Sequence, residues 1–133
     1  MRWAVVSLAA VVAAACGSDE DTLFAPPMED ARFVVQVVNE TFTIKVTNPN
    51  AYADLEARRK SGQVGVISGR IVRGDGGFNT GYSWHLDPAT VEVVDLAIEV
   101  CDGRPSDLEE DLDYWADTVK NYCPWGAKVV SVQ

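Results

Sequence analysis

The sequence predicts an α+β domain over 31–133, with a mostly antiparallel sheet, two helices and one disulfide. Three observations predict it. Short β-branched runs with period-two alternation recur along the chain, as half-buried strands require. Two stretches carry helix-start signals and helical spacing of apolar residues, and they are segregated from the strands in sequence, which suits an antiparallel sheet rather than βαβ units. Cys101 and Cys123 flank the second of those helices.

The elements follow in chain order. "RFVVQVV" and "TFTIKVT" are β-branched runs on either side of Asn39-Glu40 and read as a hairpin. Asn39-Glu40-Thr41 also matches a glycosylation sequon, a meaning given almost no weight here. Asn48 is placed to cap a helix with Pro49 at its first position, Ala51, Tyr52 and Leu55 inward, and Gly62 as its stop. "QVGVISGRIVRG" returns to strand, and Gly74 to Gly77 form a tight turn. Asp75 in that turn lacks the repeated acidic ligands of a calcium loop.

In "GYSWHLDP" alternation puts Tyr82, Trp84 and Leu86 on one side and Ser83, His85 and Asp87 on the other, before Pro88 ends the pairing. Asp87-Pro88 could also start a helix, but the Val and Ile content of "VEVVDLAIEVCD" favours strand. On that strand Val94, Leu96, Ile98 and Val100 share one face, and Asp95, Glu99 and Cys101 the other. Ser106 and Glu109 have capping-box spacing, and Leu108, Leu112, Trp115 and Val119 recur on one helix face amid acidic residues. "NYCPWG" turns the chain and "AKVVSVQ" makes a last strand; Trp84 and Trp125 are expected in the core.

A Cys101–Cys123 disulfide would staple the acidic helix and the Cys-Pro-Trp turn onto the end of the Glu99 strand, as suits an exported protein. A metal or redox pair is the alternative, and CxxC spacing is lacking.

The odd cysteine is Cys16. Arg2 followed by the unbroken small and apolar run Trp3–Ala15 fits a signal peptide over 1–15. As a helix rising ~1.5 Å per residue the run spans roughly 20 Å, short of the ~30 Å hydrocarbon core. Ala13-Ala14-Ala15-Cys16 resembles the lipobox of bacterial lipoproteins, with Ala13 where that family usually has Leu. The resemblance implies a diacylated, palmitate-type anchor on Cys16 as the first mature residue, and Gly17 implies no inner-membrane retention signal. The expected location is the cell envelope, at the outer membrane where there is one; the alternative is an ordinary signal peptide cut after the Ala run. Residues 16–30, acidic and carrying Pro26-Pro27, read as a lipidated tether.

Loss of Arg2, the one charged residue before Cys16, takes the formal charge from −9 to −10. Such a balance argues against a nucleic-acid partner and against adhesion to anionic headgroups, so the lipid would supply the membrane contact.

"KVTNP", "GRIV", "SWHLDP", "AIEVCD" and "CPWG", in this order, resemble the N-terminal domain of a eukaryotic calmodulin-binding protein and its small secreted bacterial relatives, over roughly Phe42 to Gln133. The resemblance implies little about activity. Calmodulin binding does not carry across: its targets are basic amphipathic helices with bulky anchors, and the one basic helix end here, "EARRK", has few large apolar residues.

The candidate polar site is His85, Asp87, Glu99 and Asp102, residue types suited to cation binding or acid/base work. The simpler expectation is that His85 bonds a carboxylate to hold a loop, and that Asp87 caps the turn at Pro88. HExxH, GxSxG and a phosphate-binding glycine loop are all missing, so no catalytic residue, metal or cofactor is assigned. Two functions follow. One is an envelope lipoprotein whose non-catalytic domain binds an envelope protein or other ligand, which requires an exposed apolar or aromatic patch. The alternative is a small hydrolase-like or metal-dependent enzyme centred on His85, which requires the polar residues to converge in a cleft.

Overall fold

A computed structural model describes residues 31–133. The leader expected over 1–15, Cys16 and the tether to residue 30 lie outside the described residues. The fold is α+β, and every strand pairing is antiparallel. Strands β1 (Arg32–Val37) and β2 (Glu40–Lys45) form the expected hairpin, and β7 (Ala127–Val132) pairs with the other edge of β1, giving the order β2-β1-β7. The hairpin turn is Val38-Asn39, with Val38 at φ 60°, a conformation that a β-branched residue adopts only under strain.

Between these strands, α1 (Pro49–Ser61) starts and stops as its sequence dictates. Asn48 Oδ1 accepts from the Asn50 and Ala51 amides at 2.8 and 3.3 Å, and Gly62 ends the helix at φ 71°. Leu55 and Ala51 are buried and Tyr52 is half-buried, its ring edge-on to Phe33 at 5.6 Å.

A second sheet is organised on β3 (Val66–Arg73). Its first half pairs with β5 (Glu92–Val94), its second half with β4 (Trp84–Leu86), and its middle with β6 (Asn121–Tyr122). One bridge, Gly65 to Ala127, ties the two sheets together. The core lies between them. Phe42, Trp84 and Tyr122 pack within 5.5–5.6 Å of one another, Trp115 closes on Tyr122 at 6.0 Å, and the Tyr122 hydroxyl donates to the Gly103 carbonyl at 2.7 Å.

Four expectations are corrected. The strand expected through Cys101 stops at Val94, because Val66, the first residue of β3, lies opposite Val94 and the preceding Gly65 has turned to Ala127. Beyond it the chain bends at Asp95 and runs unpaired to Ile98, then makes a 3-10 turn, Glu99–Cys101. The second helix is broken into α2 (Pro105–Glu110), α3 (Leu112–Tyr114) and a π-turn, Trp115–Val119, with the kink at Asp111 (φ −136°, ψ 54°). A continuous helix would set Asp107 against Asp111 and Glu109 against Asp113 at i,i+4, and like charges at that spacing repel. The Ser106–Glu109 capping box is not formed. Glu40 of β2 accepts from the Ser106 amide and hydroxyl, both at 2.9 Å, while Glu109 accepts from the Ser83 amide and hydroxyl, both at 2.8 Å. Finally, Trp84 is fully buried but Trp125 is 40% exposed. Cys123 and Pro124 take the inward positions of that turn, and the Asp102 carboxylate holds the Trp125 amide at 3.0 Å.

Cys101 and Cys123 form the expected disulfide, with Cα atoms 5.1 Å apart. The Cys123 amide also donates to the Cys101 carbonyl at 2.8 Å, so the turn at 99–101 is fastened to β6 through both side chain and backbone.

Candidate functional site

His85 sits on β4 opposite Val72, half-buried. Its Nδ1–H donates to the Gly74 carbonyl at 2.7 Å, and its ring meets Phe78 edge-on at 5.3 Å. Gly76, at φ 65°, lets the loop close over the imidazole, since a Cβ there would lie 2.8 Å from His85 Cγ. The partner is therefore a backbone carbonyl, not the carboxylate expected from the sequence.

Asp87 ends the same strand and does cap the turn, accepting from the Ala89 amide at 3.1 Å; Arg70 Nη2 donates to it at 2.7 Å. The Ala89 amide and the Arg70 guanidinium hold its carboxyl below the usual range. Asp102 is committed to the Trp125 amide, and Glu99 is exposed on the 3-10 turn. The Asp102 amide donates to the Glu99 carbonyl at 3.0 Å, but no side-chain hydrogen bond joins any two of these four residues. Among the described residues no group of three or more His, Cys, Asp or Glu is spaced to hold a metal ion.

The two most exposed large apolar side chains lie elsewhere. Leu96 is 89% and Ile98 70% exposed, on the unpaired segment after β5. Leu96 and Ala97 line a shallow cavity of about 210 Å³ with Val66, Asp95 and Trp125. The same two residues, with Ile98, Cys101, Val119 and Glu92, line a second of about 360 Å³. One surface thus runs from Ile98 to Trp125, apolar at Leu96, Ala97, Ile98 and Trp125, polar at Ser68, Glu92, Asp95 and Asn121, with Cys101 in its floor. The alternation of Leu96, Ile98 and Val100 is the signal that marks it in the sequence, but alternation alone does not tell a buried strand from an exposed one.

A third depression, about 450 Å³, lies where β3 passes the π-turn and includes Arg70, Arg73, Asp117 and Lys120. Its guanidinium groups are already matched: Arg73 bridges Asp113 at 2.8 Å and Asp117 at 3.1 Å, and Arg70 holds Asp87. That leaves little net charge for an anion.

Compared with known protein families, the chain matches the model of the BP-74 N-terminal domain over residues 29–133. No curated protein and no solved structure matches the chain significantly. The matched span begins before β1 and runs to Gln133, taking in both sheets, the disulfide and the apolar surface, and the chain belongs to the family of the BP-74 N-terminal domain.

Proposed function

We propose that the protein is a membrane-anchored cell-envelope lipoprotein, acylated at Cys16, whose folded part is a small non-catalytic binding domain. The observation that carries the anchor is the Cys101–Cys123 pair, which accounts for two of the three cysteines and leaves Cys16, directly after the apolar run Trp3–Ala15, for lipidation. Two or three acyl chains hold a small domain on a bilayer where one binds marginally. The binding role is supported by the apolar surface between Ile98 and Trp125, and by the commitment of His85, Asp87 and Asp102 to holding loops. The cellular location that follows is the envelope, at the outer membrane where one exists.

Intact-mass analysis of the protein purified from envelopes tests the anchor. The expected species begins at an acylated Cys16, and Cys16→Ser should move the protein to the soluble fraction with its melting temperature unchanged. An unmodified chain starting at Cys16 or Gly17 would sink the proposal.

A further inference from the structure

We infer that the surface formed by Leu96, Ile98 and Trp125 docks a segment of a partner protein that presents apolar side chains flanked by Lys or Arg; the inference rests on the binding-domain reading above. The apolar part follows from the surface itself. Its two cavities share Leu96 and Ala97, so side chains of an incoming segment would enter adjacent depressions on one face. The face is also pinned at its margins: Cys101 in its floor is bonded to Cys123, and the Trp125 amide is held by Asp102.

The basic part follows from the rim. Glu92 and Asp95 line the two cavities and Glu99 stands on the adjoining turn. Among the described residues these three carboxylates have neither an ion pair nor a side-chain hydrogen bond, whereas Glu56, Asp87, Asp113 and Asp117 are each matched by an arginine. An apolar floor with an unmatched acidic rim is complementary to an apolar segment with cationic flanks.

The same charges disfavour the other occupants. A second copy would bring two acidic rims together on chains of formal charge −9, and an anionic bilayer surface would be repelled likewise. Position agrees. Trp125 stands just before β7, and the far end of β7 is paired at Gln133 with Arg32, where the chain continues toward Cys16. The surface and Arg32, near the start of the described residues, therefore lie at opposite ends of a six-residue strand, roughly 20 Å apart.

The test is selection of a displayed library of random peptides on the full-length lipidated protein in detergent. Enriched peptides should combine Leu, Ile, Phe or Trp with Lys or Arg, and their affinity should fall with rising salt. Leu96→Asp with Ile98→Asp should weaken a selected peptide by at least about tenfold, with the melting curve unchanged. Asp95→Lys with Glu99→Lys should also weaken it and should abolish the salt dependence. Enrichment of acidic or uncharged peptides overturns the inference. So does peptide binding that is untouched by Leu96→Asp with Ile98→Asp, which would keep a binding domain but move its site. Failure to enrich any peptide overturns both this inference and the binding reading. Dimerisation lost in Leu96→Asp, or flotation of Cys16→Ser protein with anionic vesicles, would assign the surface to the other occupants and overturn it as well.

Discussion

Asn79 joins the two sheets with one side chain. It is 1% exposed, its Oδ1 accepts from the Thr43 amide of β2 at 2.9 Å, and its Nδ2 donates to the Trp84 carbonyl of β4 at 2.8 Å. Removing it leaves an amide and a carbonyl unpaired next to the Phe42–Trp84 core, and each such orphan costs about 1–3 kcal/mol. Asn79→Ala should therefore lower stability by about 2–4 kcal/mol in urea titration. His85 performs a smaller version of the same task. Loss of its bond to the Gly74 carbonyl should cost about 1–3 kcal/mol, at the lower end because exposed Gly74 can be rehydrated. If His85→Ala left the melting curve unchanged but abolished a measured turnover or metal binding, the polar face would be a working site. Neither partner is legible locally. "SWHLDP" shows that His85 lies opposite in face to Trp84 and Leu86, but its acceptor stands 11 residues away, and Asn79 reaches 36 residues back to Thr43.

At the scale of elements, the disulfide decides whether the apolar surface has a floor. It closes a separation of 22 residues, and in the chain-entropy model a loop of that length stabilises by roughly 3 kcal/mol. Cys101→Ala with Cys123→Ala should lower stability by about that amount, weaken a peptide bound at Leu96 and Ile98, and leave membrane attachment intact. Non-reducing peptide mapping should recover the two cysteines in one linked fragment; free thiols in the exported protein would contradict the pairing. Elements whose signals are local were legible in the sequence: the β1–β2 hairpin, α1 between Asn48 and Gly62, β7, and the disulfide. Elements whose limits are set by a distant partner were not. The alternation through Val94–Val100 is a sound strand pattern, and only the departure of Gly65 to β7 leaves it unpaired. Ser106 carries a capping-box signal, but Glu40, 66 residues away in sequence, occupies that helix end first. Of the four candidate polar residues, His85, Asp87 and Asp102 each hold a separate loop through a backbone partner and Glu99 holds none, a division that the sequence does not show.

At the scale of the whole molecule, carboxylates are the fasteners. Glu40 ties β2 to α2, Glu109 ties α2 to the loop before β4, Asp102 fixes the Trp125 turn, and Asp87 joins β3 to the turn after β4. Acid therefore acts on the fold in two opposed ways. At neutral pH a formal charge of −9 repels itself, and mild acidification relieves that repulsion. Further acidification protonates Asp87 among these fasteners, and Glu56 on α1. The Asp87 carboxyl, held low by the Ala89 amide and by Arg70, and the Glu56 carboxyl, held low by its hydrogen bonds from Arg59, bind protons more weakly folded than unfolded. Their stabilisation is accordingly complete above the ordinary carboxylate range and is lost as pH falls through the lowered folded values. Urea midpoints measured against pH should hold from neutral to about pH 5 and then fall between about pH 4 and 2. Asp87→Asn should be the less stable protein at neutral pH and should converge on the parent at the acid end, because the parent has by then lost the same interactions. A constant offset between the two curves down to the lowest pH would mean that the Asp87 bonds to Ala89 and Arg70 contribute nothing that depends on its charge.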